Sequence, residues 1–150
     1  MAVAVTIRAV RPEDRAAWGT LYAGYAAFYR VEQSAAMRET VWGWLMDRGH
    51  KTCGLVACDE AGAPIGLAHY RSFARPLTAS TGGFLDDLFV DPDARGSGAA
   101  DALIAALREI GAAQGWTVVR WITAEDNYRA RGVYDRVAVR TPWVTYDIKI

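Results

Sequence analysis

The chain has 150 residues, 52% of them apolar and 23% charged, a balance that suits a folded chain with its own core and excludes a disordered polar segment. Seventeen basic residues offset seventeen acidic ones, so no net field marks it as a nucleic-acid binder or a polybasic membrane-surface protein. With only Cys53, Cys58, His50 and His69 as soft ligands, no metal site is expected.

In chain order, residues 3–10 are β-rich with partial alternation and predict a first strand. "RPED" reads as a helix start, with Pro12 early and two acids in the first turn. Trp18, Leu21, Tyr22, Tyr25, Phe28 and Tyr29 follow at helical spacing. After a break at 30–33, Ser34 is the N-cap of a second helix carrying Met37, Val41, Trp44 and Leu45, which Gly49 ends. Strands are expected at 53–58 and 65–73 around the turn "DEAGAP", then a polar loop "RPLTAST". A strand at 83–90, a helix at 96–114, a strand at 117–123, a short helix at 127–136 and a last strand at 143–150 complete the series. This order implies one mixed α/β sheet flanked by helices, in a single domain over 1–150.

Cys53 and Cys58 fall on opposite faces of one strand and cannot bridge, so both are read as buried free thiols of a reducing compartment. The N-terminus lacks the layout of a secretory signal, and Asp101 and Arg108 interrupt the most apolar helix. A cytoplasmic protein without a membrane partner is expected.

The informative stretch is "LFVDPDARGSGAA". A phosphate is held by free, closely spaced backbone N–H groups, which a helix N-terminus supplies and glycine leaves unobstructed. Gly96 and Gly98 stand at that point, with Arg95 adding a cation. A dinucleotide fingerprint fails because Asp101 occupies its third glycine position, and no Gly-Lys-Ser/Thr ends a Walker loop. Helix punctuation is the bland alternative.

The pattern Arg-Gly-x-Gly-x-Ala after an apolar strand resembles the pyrophosphate motif of the GNAT family of acetyl-CoA-dependent N-acetyltransferases, Gln/Arg-x-x-Gly-x-Gly/Ala, matched by Arg95, Gly98 and Ala100. "FLDDLFV" looks like the fourth strand of the polyamine- and histone-type branch, and "NYRARGVYDR" is similar to the Asn-x-x-Ala-x-x-x-Tyr helix at Asn127, Ala130 and Tyr134. The resemblance implies the GNAT fold, a central mixed sheet of about six to seven strands with about four helices.

It also implies roles. Tyr134 is the general acid that protonates the departing thiolate, and Asp86 matches the position of the base. Alternation puts Asp86 and Asp87 on opposite faces, where Asp87 is either structural or on the acceptor side with Tyr25, Tyr29 and Glu32. Acetyl-CoA, the co-substrate, would meet the main chain of Leu88, Phe89 and Val90. Its pyrophosphate would sit on Arg95, Gly96, Ser97, Gly98, Ala99 and Ala100, with Asn127 and Ala130 beside the pantetheine. Arg129 and Arg131 are read either as phosphate contacts or as solvated helix residues. The expected acceptor is a primary amine of a small cationic substrate, polyamine- or lysine-like, and a homodimer is expected. A non-catalytic acyl-CoA module and an enzyme for protein N-termini or Lys are the alternatives. One departure is visible: the family's Leu-Tyr-x-x-x-Gly-Phe lacks its Gly here, and Trp143 stands near the place of the Phe.

Overall fold

The computed structural model describes residues 4–150, so the start of the expected first strand lies outside the described residues. Its centre is a five-stranded sheet in the order β1–β2–β3–β4–β5, formed by Thr6–Ala9, Cys53–Cys58, Pro64–Arg75, Ser80–Val90 and Val119–Arg120. Neighbours are antiparallel except β4 and β5, which run parallel. The β2–β3 turn is organised by Asp59, whose Oδ1 accepts from the Ala61 and Ala63 N–H groups at 3.0 and 2.9 Å. The expected polar loop after β3 is largely absorbed into strand pairing, which continues to Arg75 opposite Ser80. Only a turn at Pro76–Thr78 remains before Ala79 reverses the chain with φ 50°.

Alternation divides the sheet between two cores. On one face Leu55, Ala57, Ala68 and Leu85 pack against Ala99, Leu103 and Leu107 of α3 (Ala99–Gln114). On the other, Leu67 and Phe89 meet Trp18, Leu21 and Trp42 from α1 (Arg15–Phe28) and α2 (Ala35–Met46). Each such Leu contributes roughly 2 kcal/mol when fully removed from water. Ser34 caps α2 as its sequence predicts, its Oγ accepting from the Met37 N–H at 3.1 Å. Buried Asp14 fastens the start of α1 to β1. Arg8 donates to both its oxygens at 2.7 and 2.8 Å, and the Arg11 N–H donates at 2.7 Å.

Three expectations are corrected. Cys58 is buried but Cys53 is exposed, because Cys53 opens its strand where no helix covers it. The expected strand 117–123 shrinks to β5. The Trp116 ring lies so close over Gly83 that a Cβ there would come within 2.1 Å of it, and this contact seats β5 against only Gly83 and Phe84 of β4. The last strand, 143–150, is not formed. Val144, Tyr146, Ile148 and Ile150 alternate as a strand would, yet each is at least 74% exposed. Alternation prepares a strand, but pairing needs an edge, and the residues after Arg120 offer none along the tail. The sheet therefore has five strands among the described residues, with four helices, α4 being Tyr128–Val137.

Candidate active site

The site is set by a defect in β4. His69 faces Asp87 and Tyr70 faces Leu85, so Asp86 is an extra residue, a β-bulge. The bulge overturns strict alternation: both carboxylates turn to the α1 side. Asp87 meets His69, and Asp86 meets Arg71, two residues along β3 on the same face. Arg71 Nε donates to the Asp86 oxygens at 3.3 and 3.2 Å. Burial raises the Asp86 carboxyl above its ordinary range, with Arg71 opposing. Burial would raise Asp87 too, but His69 and the Tyr22 and Tyr25 hydroxyls prevail and hold it below that range.

The bulge also twists β4 away from β5, whose pairing stops at Phe84. Beyond it, one edge of β4 is open. The Asp91 N–H donates to the Ile65 carbonyl at 2.8 Å, which fixes the alternation: Phe89 and Asp87 bond toward β3, and the Leu88 and Val90 amides and carbonyls face the open side. A cleft of about 540 Å³ lies along this edge. It is lined by Leu88, Phe89 and Val90, by residues 94–101, by Phe28 and Tyr29 at the end of α1, and by Asn127, Arg129, Ala130, Val133, Tyr134 and Arg136.

Past Val90 a turn at Pro92–Ala94 leads into α3, which begins at Ala99 and not at the expected Gly96. Gly96 and Gly98 hold φ near +83° and +84°, the left-handed region that glycine enters at no steric cost. Their amides, and those of Ala100 and Asp101, find no acceptor among the described residues. The Ser97 amide is used by the Ala94 carbonyl, and the Ala99 amide by Ser97 Oγ at 3.3 Å. The result is a cluster of free donors at the positive end of a sixteen-residue helix. Arg95 reaches over Phe28 (5.9 Å), and neither it nor Arg129 pairs with a carboxylate among the described residues. An anion with several oxygens fits this chemistry.

The opposite wall is α4. Tyr134 is half-buried, edge-on to Trp121 at 5.3 Å, and burial pushes its hydroxyl up to about 12, with Tyr29 adding to the effect. Asn127 Nδ2 donates to the Tyr29 hydroxyl at 3.1 Å and to Thr123 Oγ1 at 3.3 Å, tying α4 to the end of α1. Arg131 instead donates to the Glu125 carbonyl.

The structure thus brings Tyr134, Asn127, Ala130, Tyr29 and the whole stretch from Arg95 to Ala100 to one cleft with Leu88, Phe89 and Val90. Asp86, Asp87 and Tyr25 do not line it and lie behind, on the α1 side. Glu32 is exposed on the α1–α2 connection and joins neither group. Two features escape the sequence reading. Arg136 crosses to Asp101 at 3.4 Å and closes the far rim, and buried His69 stands behind Asp87. Strand alternation signals neither, since both depend on which elements become neighbours.

The same architecture recurs in solved acetyltransferases. Ribosomal-protein-alanine N-acetyltransferase from Brucella melitensis biovar Abortus 2308 superposes with a TM-score of 0.84 at 24% identity, over 98% of this chain and 100% of that one. Aminoglycoside N-acetyltransferase AAC(6')-Iy, solved in complex with CoA, does so with a TM-score of 0.80 at 21% identity, over 99% and 97%. The fold is shared with these solved acetyltransferases. Residues 18–138 match the Acetyltransferase (GNAT) family, and the chain belongs to it. The D-amino-acid N-acetyltransferase HPA3 of Saccharomyces cerevisiae (strain ATCC 204508 / S288c) is 29% identical over 143 residues, covering 95% of this chain and 89% of that protein. GNAT enzymes use acetyl-CoA, and among the described residues no cluster of metal ligands occurs.

Proposed function

We propose that the chain is one N-acetyltransferase domain that takes acetyl-CoA in the cleft and acetylates a primary amine of a small cationic acceptor, polyamine- or lysine-like. The observation that carries this reading is the continuity of the cleft. Unpaired backbone at Leu88 and Val90 runs directly into the free amides of Gly96, Gly98, Ala100 and Asp101. An extended arm bearing amides matches the first part and a pyrophosphate the second. Bound there, acetyl-CoA supplies an acyl group activated as a thioester.

The residues divide the work. Leu88 and Val90 orient the arm by strand-like hydrogen bonds, while Arg95 and Arg129 balance phosphate charge at the mouth. Tyr134 stays protonated across the working range, and its hydroxyl donates toward the sulfur that must leave with a proton. Asp86 accepts the proton of the attacking amine, directly or through water. Its raised carboxyl is a stronger base than an ordinary aspartate, at the expense of the Arg71 contact.

A second acceptor class, D-amino acids, is favoured by the likeness to HPA3. The test is thiol release from acetyl-CoA with a diamine, a lysine-like amine and a D-amino acid, using Tyr134→Phe as control. Diamine turnover above the D-amino acid is expected. The reverse order moves the acceptor to the second class, and release with none of them removes the proposed acceptor.

A further inference from the structure

The bulged strand carries a carboxylate that the chemistry above does not use. We propose that Asp87 is the anchor for a non-reacting ammonium group of the acceptor, and that Trp18 and His69 are positioning residues that hold its carboxylate ionised and aimed. This rests on the amine-acetylating reading and deepens it.

The argument starts from hydrogen-bond direction. Trp18 Nε1–H can only donate, and it meets His69 Nε2 at 2.9 Å. Nε2 must therefore present a lone pair, and the ring's hydrogen sits on Nδ1, 2.8 Å from Asp87 Oδ2. His69 is 1% and Trp18 2% exposed, so water cannot replace either contact. A second proton on His69 would cost the Trp18 bond. The histidine beside Asp87 is thus a neutral donor, and the carboxylate keeps its charge. The Tyr22 hydroxyl donates to the same oxygen at 3.0 Å.

Every partner of Asp87 is neutral. Arg71, on the same face of β3 as His69, is engaged with Asp86, and no Lys or Arg pairs with Asp87 among the described residues. A mostly covered anion without a cation is costly, and the Asp87 side chain is still 19% exposed. Tyr22 and Tyr25 flank it as an aromatic ladder, with rings 6.0 Å apart, continuing through Tyr25–Tyr29 at 5.0 Å to the cleft wall. The Tyr22 and Tyr25 hydroxyls point at the Asp87 carboxylate, so an ammonium ion reaching its exposed part would meet the carboxylate with tyrosine oxygens beside it. The adjoining residue, Leu88, lines the cleft. A substrate with one amine at the cleft and a second cation a few carbons behind it, a diamine, meets both.

The test is calorimetric binding of 1,4-diaminobutane, with butylamine as the one-cation control, to the wild type, Asp87→Asn, His69→Phe and His69→Asn. The wild type is expected to bind the diamine more tightly than butylamine. Asp87→Asn should weaken the diamine by roughly thirtyfold and butylamine little. His69→Phe, which removes the donor, should lose part of the preference. His69→Asn, which returns an N–H near the Nδ1 position, should recover some of it. Nitrogen NMR on the wild type needs no variant: the His69 ring should carry its hydrogen on Nδ1, and its shift should move on adding the diamine. Binding requires no turnover, so the outcomes separate. Diamine binding lost in Asp87→Asn supports the anchor even if no acetyl transfer is found. No diamine preference in the wild type, an unchanged preference in a folded Asp87→Asn, or a hydrogen on Nε2 overturns it.

Discussion

The two sides of β4 treat polar groups in opposite ways. Toward α1, the polar side chains answer one another: Trp18 to His69, His69 and Tyr22 to Asp87, Arg71 to Asp86. Toward α4, several donors meet no acceptor among the described residues: the amides of Gly96, Gly98, Ala100 and Asp101, the edge of β4 at Leu88 and Val90, and the guanidinium groups of Arg95 and Arg129. A protein closes buried polar groups because an orphan costs about 1–3 kcal/mol. Where it leaves several donors open in one concave place, a ligand is the partner that completes them. On the proposed reading the closed side fixes geometry, with only the charge of Asp87 left without a counter-ion, and the open side takes the co-substrate.

Perturbing the open side should change function far more than stability. Tyr134→Phe keeps the ring on Trp121 and removes only the hydroxyl, so kcat should fall about a hundredfold or more while acetyl-CoA affinity holds. Stopped-flow turnover beside equilibrium binding would separate these; equal loss in both would mean that Tyr134 is a wall of the cleft and not a donor. Gly98→Asp puts a carboxylate and a Cβ at φ +84°, and should weaken acetyl-CoA by roughly a hundredfold while the Tm shifts by only a few degrees.

Perturbing the closed scaffold should do the reverse. Asp14→Asn, remote from the cleft, should destabilise by about 2 kcal/mol near pH 7 in urea titrations and leave affinity for acetyl-CoA intact. Arg8 chiefly holds the Asp14 carboxyl below its ordinary value, against burial. The unfolded state therefore binds the proton first as pH falls. This stability is present above the usual carboxylate range, about pH 4, and is lost as pH drops through the lower folded value. The variant's deficit should shrink accordingly as pH falls below that range, and a deficit constant with pH would contradict the assignment. The smallest effect is expected from Arg136→Gln: its bridge to Asp101 is solvent-exposed, so affinity should change by no more than a few fold.

The sequence made the open side legible and the closed side opaque, for a physical reason. A cradle of backbone donors is local: Arg95 to Ala100 are consecutive, and two glycines announce the left-handed turns they adopt. The Asn127-to-Tyr134 spacing is equally local, and all of these residues reach one cleft. The closed network joins Trp18, His69 and Asp87, whose partnership depends on which strands pair and how a helix crosses them. The bulge is a mismatch between two strands, invisible in either alone, and it places Asp86 and Asp87 on one side where alternation separates them. The same limit explains 143–150, which has a strand's pattern and pairs with no neighbour among the described residues. It also explains Glu32, whose charge suited the acceptor side but whose connection points it to solvent.

The claim that the open donors are a binding site for acetyl-CoA is tested most directly by thermal unfolding of the unmodified chain with and without the co-substrate. A ligand that binds only the folded state raises Tm in proportion to the logarithm of its concentration over Kd. The expected result is an upward shift that grows with acetyl-CoA and disappears in Gly98→Asp. An unchanged Tm at roughly a hundred times a typical micromolar Kd, where linkage predicts about 2.7 kcal/mol, would mean that the glycines after β4 only turn the chain into α3.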